Sequence, residues 1–292
     1  VNVPTFTYLE ARSLEEASAL LAEHGSAGRV LAGGTDVLVK MKHRRLLPSH
    51  LINIKGIAGL DYIRYEPGVG LRIGPLATIE SVKRSMDVRG KYPVLHQAAA
   101  YMATVIIRNR ATVVGNICNG SPSAETAPAL IVLGAEVQIV GPAGERTVRV
   151  EDFFTGPGCT VLGAGEIVAE IRVPEVPAGS AAVYEKHSLR RMDVAMVGVA
   201  ALIVPEEGRC DDLKIALSAV APTPIRAARA ESVLRAQIPT EELIAAAARA
   251  AAQDSRPITD IRGSADSRRA ITEELTNRVL RRALRAAKLE VV

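Results

Sequence analysis

Aromatic residues are scarce in this chain, which has no Trp, three Phe and six Tyr among 292 residues. Recognition of single-stranded nucleic acid leans on stacking aromatics and a concentrated basic face. Neither is evident, and 36 Lys+Arg against 32 Asp+Glu leave a net charge of only +4. No nucleic-acid partner is expected. Cysteine is also sparse. Cys118, Cys159 and Cys210 are odd in number and far apart. They make neither a disulfide framework nor a zinc or iron–sulfur ligand set, so no metal site is expected. This usage suits a reducing, cytoplasmic setting. Residues 1–6 have neither the basic start nor the apolar centre of a secretion signal. The most apolar segment, residues 194–204, is too short to span a bilayer. Export and membrane insertion are therefore not expected.

Familiar catalytic patterns are missing as well. The five histidines are scattered without metal-ligand spacing. There is no GxSxG elbow, no GxxxxGK[ST] phosphate loop and no GxGxxG dinucleotide fingerprint. No catalytic residue is assigned. A chain without a nucleophile or an acid–base set can still serve a cofactor that brings its own redox chemistry.

Nearly half of the residues (48%) are hydrophobic, mostly Ala, Val, Leu and Ile, enough for a sizeable core in two or three domains. Ser13-Leu-Glu-Glu16 is a capping box, and the helix it opens stops at Gly25. Strands are expected at residues 29–32 and 51–55, closing a small α/β unit over residues 1–55. A second α+β unit spans residues 56–175. It has strands at 71–74, 136–140, 146–150 and 166–173, and helices at 94–104 and 126–133. Thr78 is placed to cap a further helix. Pro174 and Pro177 mark a linker. Residues 176–292 form the third unit. Two long strands, 194–204 and 213–220, flank a turn at Pro205-Glu-Glu-Gly208, and Ala- and Arg-rich helices follow at 241–252 and 267–288. The fold class is α+β: two α/β subdomains, then an antiparallel sheet with a helical bundle.

Two segments carry the functional signal. The first is Leu31-Ala32-Gly33-Gly34-Thr35-Asp36. The second runs from Ile107 through Arg108-Asn109-Arg110-Ala111 to Thr112-Val113-Val114-Gly115-Asn116, then Ile117-Cys118-Asn119-Gly120-Ser121-Pro122. Each is small, polar and glycine-bearing after an apolar run. Such backbone lets peptide N–H groups approach phosphate closely. Two of them suggest a diphosphate held from both sides.

Together these segments resemble the AGGT[DS] loop and the RN-x-[AG]T-x-GGN segment of the FAD-binding, or medium, subunits of the molybdenum hydroxylases. That family includes xanthine dehydrogenase and aerobic carbon monoxide dehydrogenase. Phe6-x-Tyr8, Glu125-Thr126-Ala127-Pro128, Asp152-Phe153-Phe154, Tyr184-Glu185-Lys186 and Asp193-Val194-Ala195 stand in family-like order, so the likeness covers nearly the whole chain. It implies a PCMH-type FAD-binding domain in the first two units. It also implies that Leu31 to Asp36, through peptide N–H groups and the Thr35 hydroxyl, and Thr112 to Gly115 grip the FAD diphosphate. Asn116 would bond the same region, and Glu125, where the family has Asp, a sugar hydroxyl. Leu162 would lie near the ring and Lys186 beside the flavin. Val114 replaces the first Gly of GGN. A β-branched residue makes positive φ costly, so this peptide is expected in the β region.

The resemblance further implies partners: a small subunit with [2Fe–2S] clusters and a large molybdopterin–molybdenum subunit, assembled as a dimer of heterotrimers. Electrons would pass from a [2Fe–2S] cluster to FAD and on to NAD, a quinone or another acceptor. Three isolated cysteines do not supply the four-cysteine cluster site of the 4-hydroxybenzoyl-CoA reductase branch. The alternatives are a self-contained flavin reductase or oxidase of the same broad fold, and a scaffold that has lost FAD.

Overall fold

A computed structural model describes residues 3–292. The reading of a leaderless start therefore rests partly on two residues outside the described ones. The first unit contains β1 (Thr7–Glu10), α1 (Leu14–His24), β2 (Gly28–Leu31), α2 (Val37–Lys42) and β3 (His50–Asn53). Ser13 caps α1 by accepting from the Glu16 N–H, and Glu16 reaches back to the Arg12 N–H at 2.7 Å. The three strands form a parallel sheet in the order β1-β3-β2.

The second unit starts with a hairpin of β4 (Ile63–Glu66) and β5 (Gly70–Ile73). Six helices follow: α3 (Ile79–Arg84), α4 (Met86–Lys91), α5 (Pro93–Tyr101), α6 (Val105–Arg108), α7 (Val113–Cys118) and α8 (Thr126–Val132). Then come β6 (Glu136–Gly141), β7 (Gly144–Arg149), the short pair β8 (Phe154–Gly156) and β9 (Cys159–Thr160), and β10 (Ile167–Pro174). The main sheet is antiparallel, in the order β4-β5-β10-β6-β7. Its alternation puts Leu71, Ile73, Val137, Ile139, Ile171 and Val173 into the core. The helix expected over 94–104 ends earlier, at Tyr101. Met102 is extended and Ala103 takes φ +40, which no helix continues.

The third unit is a sheet of β11 (Ala181–His187), β12 (Val197–Glu206), β13 (Arg209–Ser218) and β14 (Ile225–Arg226), followed by α9 (Ala228–Leu234), α10 (Glu241–Asp254) and α11 (Ala265–Ala286). Strands β12 and β13 form the expected hairpin, but pairing runs through Pro205 and Glu206 after a bulge, so the turn shrinks to Glu207-Gly208. One face of this sheet packs on α9–α11 through Val199, Ile203, Ile215 and Leu217. The other sends Ala182, Tyr184, Ala200, Leu202 and Ala216 into the core of the second unit, against α5 and α8. No helix among the described residues is long and apolar enough to cross a membrane.

Candidate functional site

The two glycine-bearing segments meet. Strand β2 ends at Leu31, and the chain turns through Ala32–Asp36 into α2. A Cβ on Gly33 would lie 2.0 Å from the Arg110 carbonyl oxygen and 2.8 Å from its carbon, so only glycine lets the two backbones touch. Gly34 follows at φ +75, again a glycine conformation. A side-chain clasp reinforces the contact. Asn119 Nδ2 donates to Asp36 Oδ1 at 2.9 Å, and Lys40 Nζ donates to Asn119 Oδ1 at 2.5 Å.

The second segment is itself anchored. Ile79 N–H donates to the Ala111 carbonyl at 2.8 Å and Val113 N–H to the Ala77 carbonyl at 3.2 Å. Thr112 is extended and caps α7, its hydroxyl accepting the Gly115 N–H at 2.9 Å. Val114 therefore does not lie in the β region, as expected from its side chain. It sits in the first turn of α7. Helical φ is negative, so a β-branched residue enters it without the penalty that a left-handed peptide imposes.

Peptide donors are left over around the contact. The N–H groups of Gly33, Gly34, Thr35 and Asp36 have no acceptor among the described residues, nor has that of Val114, a buried residue. Of these residues only Val114 is buried; the N–H groups of a helix's first turn have no intrahelical acceptor and are open to one from outside. A close backbone contact with unpaired peptide donors in both segments suits a diphosphate.

Asn116 faces inward. Its Oδ1 accepts from the Thr126 N–H at 3.3 Å and the Thr126 hydroxyl at 2.6 Å, tying α7 to α8. Its amide NH2 remains free for another acceptor. Glu125 and Lys186 are paired with one another: Lys186 Nζ donates to Glu125 Oε1 and, at 2.8 Å, to the Asp193 carbonyl. The lysine side chain is 1% exposed and the glutamate 8%. Burial pushes the Glu125 carboxyl up to about 7, against the pull of Lys186. Beside them the Tyr184 hydroxyl is buried and unpartnered among the described residues, its pKa raised well above the ordinary value by burial and then by Glu125. Leu162 is half-buried two residues beyond β9, its N–H on Thr160 Oγ1 at 3.4 Å, and the turn before β9 meets the second segment where Gly158 N–H donates to the Gly120 carbonyl at 2.8 Å.

Comparison with known proteins decides the family. Residues 4–176 match the family model of the FAD binding domain in molybdopterin dehydrogenase, and residues 182–283 that of the CO dehydrogenase flavoprotein C-terminal domain. The chain belongs to the FAD-binding medium subunits of the molybdenum hydroxylases. It is 36% identical to the carbon monoxide dehydrogenase medium chain of Hydrogenophaga pseudoflava, over 96% of this chain and 97% of that one. It is 34% identical to the putative xanthine dehydrogenase FAD-binding subunit of Escherichia coli K12, again over 96% and 97%. A solved structure of the H. pseudoflava carbon monoxide dehydrogenase superposes with a TM-score of 0.95, covering 98% of this chain and 99% of that one at 36% identity. Quinoline 2-oxidoreductase from Pseudomonas putida 86 gives 0.92 at 31% identity, covering 98% and 99%.

In this medium subunit, the expected site residues fall into two groups. Leu31 to Asp36 and Thr112 to Asn116 converge on the Gly33–Arg110 contact. Glu125 and Lys186 form a separate buried pair, joined to the first group through Thr126 and Asn116. Sequence reasoning missed the Asn119 clasp and the brace of Arg108. That guanidinium donates to Glu80 at 2.7 Å and to the carbonyls of Met102 and Ala103 at 2.9 and 3.0 Å, fixing the bend before α6. The signal was an arginine ending the apolar run Val105-Ile106-Ile107.

Proposed function

We propose that this medium subunit holds the FAD diphosphate across the Gly33–Arg110 junction and relays electrons within a multi-subunit hydroxylase. The meeting of two glycine-bearing segments with unpaired N–H groups carries this reading. Peptide groups of Gly33 to Asp36, with the Thr35 hydroxyl, would hold one side of the diphosphate. The Val114 N–H and the Asn116 amide would hold the other. The Gly115 N–H is already committed to Thr112 and contributes by rigidity. Leu31, Ala32, Thr112 and Val113 shape the two turns. Leu162 and the Glu125–Lys186 pair would border the rest of the cofactor. FAD held there would supply the redox chemistry that links a partner's [2Fe–2S] cluster to NAD, a quinone or another acceptor.

Substrate hydroxylation then belongs to a large molybdopterin–molybdenum subunit, with a small [2Fe–2S] subunit between, in a cytoplasmic dimer of heterotrimers. The medium-chain names of the relatives support a larger and a smaller partner subunit. The division after Lys55 and after Glu175 is kept, supported by a separate sheet in each part.

Gly33→Ala is the direct test. An added methyl 2.0 Å from a carbonyl oxygen must part the two backbones. Titration of the apo chain with FAD, followed by flavin fluorescence, is expected to show affinity at least ~10-fold weaker, from overpacking of about 1–3 kcal/mol. Unchanged affinity would place the diphosphate elsewhere.

A further inference from the structure

Two cations stand at the junction and have no assigned task. Lys55 lies just past β3, the central strand of the parallel sheet. Asn53 is in register with Leu31 on one side and Glu10 on the other. Ile54 N–H donates to the Leu31 carbonyl at 3.2 Å, and Lys55 N–H to Asn53 Oδ1 at 3.2 Å. The chain therefore leaves the sheet beside the first segment, at the carboxyl edge of parallel strands where ligands of such sheets gather. Arg110 comes from the other side, its carbonyl lodged against Gly33. Both side chains belong to exposed residues.

Neither cation has a carboxylate within 4 Å among the described residues. Many arginines of this chain do: Arg72, Arg146, Arg226 and Arg281 are examples. Glu10, at the end of β1, is the carboxylate that acts on Lys55 and raises its pKa. Partial burial and the charge of Arg110 outweigh it and lower the ammonium below its ordinary value. The backbone of Lys55 follows the bond to Leu31 and that of Arg110 abuts Gly33, so two cations flank the first segment and neither forms an ion pair with a carboxylate. Such an arrangement is costly until an anion joins them. The surrounding peptide groups offer only partial charges, whereas a diphosphate diester carries full negative charge.

We propose that Lys55 and Arg110 are the counter-charges of the cofactor's diphosphate. They add a long-range, salt-sensitive attraction to the short-range grip of the peptide donors. This deepens the reading of the two segments as the FAD site and rests on it. Steering of this kind acts over roughly 10 Å at 0.1 M salt and fades above it.

The test is FAD titration of the full apo chain at low and high salt, for wild type, Lys55→Met, Arg110→Met and the double variant. Each single change is expected to weaken binding roughly 3- to 10-fold at low salt, and the double change more. The salt dependence of the affinity is expected to flatten in the same order. Lys55→Arg is expected to restore both. Thermal midpoints of the apo variants are expected to match or slightly exceed the wild-type value, because each change relieves the repulsion between the two cations without removing a packed side chain. The proposal fails if the double variant keeps wild-type affinity and salt slope while Gly33→Ala still weakens FAD binding. If Gly33→Ala also leaves binding untouched, the loop reading itself has failed and the counter-charge proposal falls with it.

Discussion

Glu125 shows how one residue's neighbours set its chemistry. The sequence offers a carboxylate one residue before a helix and a lysine sixty-one positions later. Only the fold reveals that β11 brings the lysine onto it. With the pair buried, the carboxyl is pushed from an ordinary 4.5 up to about 7 by desolvation, Lys186 opposing. The folded state therefore binds this proton more tightly than the unfolded chain. Linkage fixes the sign: the contribution is fully present below about 4.5 and is lost as pH rises through about 7. Glu125→Gln removes the titrating group and leaves its shape. Thermal midpoints of wild type and Glu125→Gln, compared from pH 4 to 8, are expected to show wild type losing stability relative to the variant across that window. A difference independent of pH would mean that the carboxyl does not titrate there.

At the scale of elements, the second segment is positioned by a short helix that hydrogen bonds hold from outside. Helix α7 has six residues, too few to be stable by propensity. Its start depends on the Thr112 hydroxyl and on the bridge between Thr78 and Thr112. Thr112→Val keeps volume and branching but removes the cap. It is expected to cost about 1 kcal/mol in urea unfolding and to weaken FAD binding in the same titration. An unchanged urea midpoint would show that the bridge alone holds the turn. This dependence also explains what could be read in advance. Helix α1 was legible because Ser13 and Glu16 write a local capping box, and β12 and β13 because their apolar runs flank a Pro-Glu-Glu-Gly turn. The two glycine segments were legible from their composition and their resemblance. Helix α7 was not, because its cap residue Thr112, besides accepting the Gly115 N–H, is held in place by a bridge to Thr78 from outside the segment. The Asn119 clasp spans 83 residues to Asp36, and no local pattern encodes such a distance.

At the scale of the whole molecule, the third unit is part of the site's foundation. Tyr184 and its neighbours fill the core above α5 and α8, and every residue of α8 is buried. Gln97 of α5 accepts the Tyr184 N–H at 2.7 Å, closing a bond that the edge strand β11 would otherwise leave open. The Ala219 N–H donates to the Pro122 carbonyl at 2.7 Å, so the end of β13 holds the tip of the second segment. Arg226 reaches Glu151 at 3.4 Å from the same sheet. Removing this unit would uncover a contiguous apolar face and strip Glu125 of its cation. A fragment ending at Val176 contains every residue of the proposed diphosphate grip. If that grip needed only its own two segments, the fragment would bind FAD as the full chain does. The packing argues otherwise. The fragment is expected to self-associate in size-exclusion chromatography and to bind FAD more than ~10-fold more weakly, because the support of Pro122 and the cover of α8 are gone together. A monomeric fragment with full-chain affinity would show that the C-terminal sheet is dispensable to the site.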